Sequence, residues 1–370
     1  MKLRSAGIRI FRGMKKRLTA VFLMSLFCVG VTAADDRIEK VGPSNYESGV
    51  ITLNFSGVRY DNLSFTGSSY LSGKLSIVSS DKSATTVTCR KMMKAESIKQ
   101  AEEFADYIEV YGEQLENELS ISAETKSVPP WNSSDWSGQV EIEIAVPRNE
   151  NLKIDVRTSA FSVDVKGPFT AIDVSSSLSD VSLEKITGKT RVSIERGSVN
   201  VRDCSGPVSV STSLQPITLS RVDGKLGSIK LRNSNARIIL EYVRGEIDAR
   251  TSNAAITASR ISFEAGHSQL ATENSSIDVD ADAVNGDLTI RNVNSKINLA
   301  LPANTSADYL LQVDQPGRIY TRDLPMTVSL ASQTRVVGSH GNQRSKIEVD
   351  MSGAGTVTLE GKPANRTSLR

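Results

Sequence analysis

The chain has 370 residues, with 44 Lys and Arg against 42 Asp and Glu and a net charge of +2, a balance that leaves no electrostatic case for nucleic-acid or polyanion binding. Aromatic residues make up 5%, while Ser, Thr, Asn, Val and Ile are abundant, which suits short strands and polar turns better than packed helices. At 39% hydrophobic and 23% charged, the composition fits neither a disordered chain nor a multi-span membrane protein.

Lys15, Lys16 and Arg17 precede an apolar run from Leu18 to Val31, followed by the small residues Thr32, Ala33 and Ala34. The run is short for a bilayer span, and the pattern is that of a secretory signal peptide over residues 1–34, with the mature chain starting near Ala34 or Asp35. The stretch before Met14 is either a long basic n-region or lies upstream of the true start. Cys28 follows Phe27, where lipid attachment needs a small residue, so acylation is not expected. Export to the periplasm, the outer surface or the medium is expected, with no transmembrane segment in the mature chain. Only Cys89 and Cys204 remain after cleavage, too few for a disulfide framework. Each reads as a small buried residue, not bonded to the other.

Residues 35–148 read as an N-terminal β-rich module. Alternation marks strands at Val50–Phe55, Lys74–Val78, Thr85–Cys89, Glu118–Ala123 and Gln139–Val146. One helix interrupts them: Ile98, Ala101, Ala105 and Ile108 form its inward face, with Lys99 and Glu103 outward, and it is expected to cap the neighbouring array. Pro129 and Pro130 keep the next loop irregular, and its tryptophans, Trp131 and Trp136, are expected to pack over the open end of the array rather than stack on a sugar.

Residues 149–361 carry a repeat of about 18 to 21 residues, in about eight copies between Asn151 and Leu301. One series of apolar pairs runs through Ile154/Val156, Ile172/Val174, Val192/Ile194, Val208/Val210, Ile229/Leu231, Ile247/Ala249, Leu270/Thr272 and Leu288/Ile290. A second runs through Val163/Val165, Val181/Leu183, Val199/Val201, Ile217/Leu219, Ile238/Leu240, Ile256/Ala258, Ile277/Val279 and Ile297/Leu299. A third inward position follows at Ile186, Cys204, Val222, Val243, Ile261 and, slightly displaced, Val284. A unit with two short strands cannot close a core alone, but stacking units about 4.8 Å apart aligns equivalent side chains into dry ladders. The fold class is therefore all-β, a parallel β-solenoid of short rungs, with Ile172, Val192, Val208, Ile229 and Ile247 expected one above another. The array continues less regularly to Leu359, and residues 362–370 read as a tail.

These repeats, with the lead-in strand Glu141-Ile142-Glu143-Ile144-Ala145-Val146-Pro147 and the closing Gly353-Ala354-Gly355-Thr356-Val357-Thr358-Leu359, resemble the DUF4097 family of adhesin-like secreted bacterial proteins. The family's S-G-S-G-D-[VI] turn is replaced here by Ser175-Ser176-Ser177-Leu178-Ser179-Asp180-Val181 and by Asn233-Ser234-Asn235-Ala236-Arg237-Ile238. The resemblance implies adhesion and brings no catalytic residues and no cofactor.

His267 and His340 lack ligand-type neighbours and are expected in loops. Alternation puts Asp278, Asp280 and Asp282 on one outward face, where a shared Ca²⁺ is weighed against a solvated strand face; the solvated face is preferred because the glycine and final Glu of a calcium loop are missing. Asn235, Asn253, Asn274 and Asn294 each stand three residues before Ile238, Ile256, Ile277 and Ile297, which predicts a stacked amide ladder at a bend entering the left-handed region. No catalytic, cofactor or metal residue is assigned. The expected function is a non-enzymatic adhesin-like or scaffolding role at the cell envelope, through the polar faces, with an envelope protein or glycan as partner. The alternative is a right-handed β-helix polysaccharide lyase or hydrolase, disfavoured by short rungs and short turns; a left-handed acyltransferase helix is disfavoured by the spacing, and nothing discriminates a small-ligand sensor.

Overall fold

The computed structural model describes residues 29–32, 37–56, 60–342 and 345–363. The expected leader lies outside these apart from Val29–Thr32, a short strand antiparallel to Ile51–Phe55, and the expected tail lies outside them from residue 364. Strands and short turns account for nearly all of the described chain, which divides into two compact units, one ending at Asp180 and the other starting at Val181.

The first unit already contains parallel rungs. Strands Asn62–Gly67 and Ser72–Ser80 form one, Glu118–Thr125 and Ser137–Pro147 a second, and Lys153–Thr158 and Ala160–Lys166 a third. Leu63 lies between Leu119 and Ile154, and Leu75 lies between Ile142 and Val163, so the rung first in sequence is in the middle in space. The middle rung fits closely: a Cβ on Gly73 would stand 1.9 Å from the Val140 carbonyl oxygen. Ile154 continues to Ile172 and Val156 to Val174, as the spacing predicts. Beyond the outer rung the pairing turns antiparallel, with Ile108–Leu115 on Glu118–Thr125, Thr85–Lys94 on Ser137–Pro147, and Ile51–Phe55 beyond that.

Helix α1, Ile98–Tyr107, begins where Ser97 Oγ accepts the Gln100 backbone N–H (3.3 Å) and Gln100 Oε1 accepts that of Glu96 (2.7 Å), two otherwise unpaired donors. It ends where the Lys91 ammonium donates to the Ala105 carbonyl (2.8 Å). Ala101, Ala105 and Ile108 are buried and Lys99 and Glu103 exposed, as expected, but Ile98 is 50% exposed. At the first helical position the side chain leans back past the N-terminus, where no turn lies beneath it. Phe104, three residues after Ala101, fills the inward face instead.

In the second unit the second apolar series stacks in unbroken parallel register: Val181, Val199, Ile217, Ile238, Ile256, Ile277 and Ile297 follow one another, then Val357. Each is almost fully buried, and burial of such a side chain stabilises by roughly 1.5 to 3 kcal/mol. The first series needs two corrections. Val192 lies beside Val210, not Val208, and Leu270 lies beside Ala249, not Ile247. The side chain facing Val208 is Thr190, and that facing Leu288 is Ser268, both buried. Hydroxyl residues at inward positions hide the true start of the apolar pair, and the next apolar pair comes two residues later; an even slip in a period-two strand leaves every side chain on its correct face. At the third position a register shift in the strand makes Ala281, not Val284, the partner of Ile261, and Val284 pairs with Phe263.

The terminal strands are not stacked in chain order. Leu288 pairs with Ile347 and Ile297 with Val357, so the rung Ser345–Ser352 and Thr356–Lys362 lies directly against Asp287–Val293 and Lys296–Pro302. Ala307–Val313 and Arg318–Arg322, earlier in sequence, lie beyond it. The antiparallel hairpin Thr327–Ala331 and Arg335–His340 then extends the outer edge.

Candidate functional site

In five successive rungs the corner that follows the first strand contains a column of buried polar side chains where an apolar ladder would be expected. Thr212, Asn233, Thr251, Thr272 and Asn292 are all nearly inaccessible. Each bonds a turn carbonyl of the preceding stretch: Thr212 to Gly197 (2.9 Å), Asn233 to Gln215 (2.8 Å), Thr251 to Ala236 (3.1 Å), Thr272 to Ala254 (2.7 Å) and Asn292 to Ser275 (2.8 Å). Carbonyls that bend away from the strand ladder are thereby satisfied inside the protein, and the turn is fixed relative to the rung.

Beside this column, one residue earlier and pointing outward, Arg232, Arg250, Ala271 and Arg291 follow one another in register. With the turn hydroxyls of Ser213, Ser234 and Ser252 they line a shallow groove of about 450 Å³. Asp248 orders its upper part. Its carboxylate accepts from Arg232 Nη2 and from Arg250 Nε (3.0 Å), while its carbonyl accepts Arg232 Nη1 (3.0 Å). Arg250 also donates to Gln269 Oε1 (2.7 Å). The guanidiniums remain between two-fifths and half exposed, so they are held in place yet open to solvent.

Next to the groove the asparagine ladder forms as the spacing predicts. Asn253 Nδ2 donates to Asn235 Oδ1 (3.0 Å), Asn274 to Asn253 (3.3 Å) and Asn294 to Asn274 (3.4 Å). Gly353 follows, and a Cβ there would stand 2.0 Å from Asn294 Oδ1. Only Asn274 (φ 55°) and Asn294 (φ 59°) are left-handed; Asn235 and Asn253 are not, so the conformational half of the expectation holds for two of the four.

The remaining residues singled out by sequence disperse. Asp278 accepts from Ser276 Oγ (2.8 Å) and Asn298 Nδ2 (2.5 Å), while the Lys362 ammonium bonds Asp280 and lies 3.5 Å from Asp282, at the place a shared cation would take. Asp278, Asp280 and Asp282 point outward between the buried Ile277, Val279 and Ala281, so the common face forms as expected, and one ammonium bridges Asp280 and Asp282. His267 and His340 occupy strand ends rather than loops. Trp131 is buried edge-on against Phe104 (5.2 Å) and Tyr107 (6.2 Å), donating to the Tyr70 carbonyl (3.3 Å), so it covers helix α1; Trp136 is half-buried. Cys89 and Cys204 are buried and not joined by a disulfide, and burial pushes the Cys204 thiol from 9.0 to about 11.

The arginine column was not assigned from sequence. The signal that could have found it is register: once the inward ladders are aligned, the outward residues at one step are Arg, Arg, Ala and Arg.

No family model matches the chain, and no curated protein does. Solved structures do. A candidate cell adhesion protein from Clostridium sporogenes aligns at 10% identity over 85% of this chain and 99% of its own, with a TM-score of 0.22. Candidate adhesins from Bacteroides fragilis and Parabacteroides distasonis align at 11% and 14% identity, each over 84% of this chain and 96% of their own, with TM-scores of 0.29. At these identities and scores the likenesses carry no functional argument.

Proposed function

We propose that the protein is an exported, adhesin-like binding protein of the bacterial cell envelope, which holds its ligand along the polar faces of the β-solenoid without transforming it. The observation that carries this reading is the groove over the Arg232, Arg250 and Arg291 column, where guanidiniums and hydroxyls repeat at the rung spacing on a frame whose turns are locked from within. A rigid periodic surface suits an extended ligand, since little side-chain freedom is lost on binding. The composition, the leader pattern at residues 1–34 and the DUF4097-like repeats support the same reading.

The test is adhesion. Beads carrying the mature chain should retain whole bacteria or isolated envelope fragments and release them unaltered on elution. Failure to retain either, or release of shortened glycan products, would overturn the proposal, and the second result would favour a lyase or hydrolase.

A further inference from the structure

We propose that the break in the arginine column at Ala271 is a binding notch for an acidic group of an extended polysaccharide; this rests on the reading that the polar faces hold a ligand. Ala271 lies in register between Arg250 and Arg291. Two strand spacings separate the flanking backbones by about 9 to 10 Å. A methyl side chain leaves that interval open, and all three residues line the groove. One wall is Arg250, its guanidinium already oriented by Asp248 and Gln269. The other is Arg291, exposed and without a side-chain partner among the described residues. Thr272 and the hydroxyl of Ser252 complete the lining near the turns.

Charge and shape point to the same ligand. The groove lining contains three guanidiniums against the single carboxylate of Glu273, and Asp248 lies between two of the three. A net charge of +2 for the whole chain argues against general polyanion binding, but composition averages over faces, and here three of four successive places in one column are arginine before Asp350 follows Arg291. Arginine forks match a planar carboxylate or a sulfate with paired hydrogen bonds, and the serine hydroxyls match sugar hydroxyls. An extended acidic glycan advances by about one rung per sugar, so its charged groups can meet a column whose period is about 4.8 Å. A small carboxylate alone would gain only the notch.

The experiment measures binding of the full mature chain to polygalacturonate, to its fully methyl-esterified form and to heparin. Polygalacturonate or heparin should bind, more weakly as ionic strength rises, and the methyl ester should bind at least about tenfold more weakly than the free acid. Preference between polygalacturonate and heparin identifies carboxylate or sulfate as the favoured group. Arg291→Ala should weaken binding about tenfold, whereas Arg202→Ala, removing an arginine paired with Glu184 away from the groove, should leave it unchanged. The decisive variant is Ala271→Arg. The position accepts arginine in three registered neighbours of the same column, so folding is retained, and circular dichroism verifies it. It adds positive charge but fills the notch, and binding should fall. Stronger binding by Ala271→Arg, or equal binding of the acid and its ester, would overturn the notch. Retention of envelope fragments by wild type and Ala271→Arg alike, without binding of either acidic polymer, would overturn the notch while leaving adhesion standing; no retention at all would overturn both.

Discussion

Tyr242 has a φ of 53° and its side chain is 53% exposed, so it bears the cost of a left-handed backbone with little packing in return. Lys185, Asp203, Arg221 and Arg260 adopt the same conformation at equivalent corners, with φ between 52° and 63°. Replacing Tyr242 with Gly relieves strain of about 1 to 2 kcal/mol against an unfolded-state entropy cost of about 0.5 to 1 kcal/mol. The variant should therefore be more stable by up to about 1.5 kcal/mol in urea denaturation, and a lower midpoint would show that the corner is unstrained. A second residue-scale effect is alkaline. The buried thiol of Cys204 is raised from 9.0 to about 11 and the buried phenol of Tyr309 from 10.0 to about 12, both by loss of hydration. Between each pair of values the unfolded chain releases a proton that the folded chain keeps, so stability is complete below about pH 9 and declines as pH rises toward 12. Cys204→Val should remove the earlier part of that decline, between pH 9 and 11, in denaturation midpoints measured across pH.

At the scale of elements, the asparagine ladder separates two costs. Asn253→Val removes two side-chain amide bonds at an exposed site whose backbone is unstrained, and it should cost about 0.5 to 1.5 kcal/mol. Asn274→Val also forces a β-branched residue into φ 55°, and it should cost about 1 to 3 kcal/mol. Equal losses in thermal unfolding would show that backbone conformation contributes nothing. Sequence made the ladder legible because identical side chains recur at one offset from an apolar landmark. It also made the inward faces legible, since alternation fixes the side on which each residue lies. Absolute register was harder: Thr190 and Ser268 are inward yet polar, and a search for apolar pairs steps past both. The buried Thr and Asn column was missed for the same reason, since hydroxyl and amide side chains near turns look solvated until their carbonyl partners are seen. The parallel rung beginning at Asn62 was hidden by its distance in sequence from its neighbours, which return only at Glu118 and Lys153.

For the whole molecule, stability is distributed over rungs but the ends differ from the middle. Ile238 and Ile256 are equivalent positions on successive rungs, so deleting residues 238–255 joins like to like. That deletion should leave a folded protein with an unchanged circular dichroism band shape and a somewhat lower melting temperature. Removing everything from Ser345 onward also deletes about one rung, but it strips Leu288 and Ile297 of their outer partners and leaves Ala307–Val313 without the strand it pairs with in parallel. The truncated chain should aggregate or become protease-sensitive throughout its C-terminal half. Equal tolerance of both deletions would show that terminal order is immaterial.

Placement of the last rung inside the one before it also sets a schedule. Within the second unit the rungs can stack in order of arrival through Pro302, but the next seat belongs to Ser345–Lys362, which arrive after residues 307–340. Residues 307–322 reach the growing edge first and belong one place further out. Arrival and seating are thus inverted over this stretch, so that end of the array closes only once residues 345–362 have been delivered, and a chain interrupted before then keeps an open edge that marks it as unfinished.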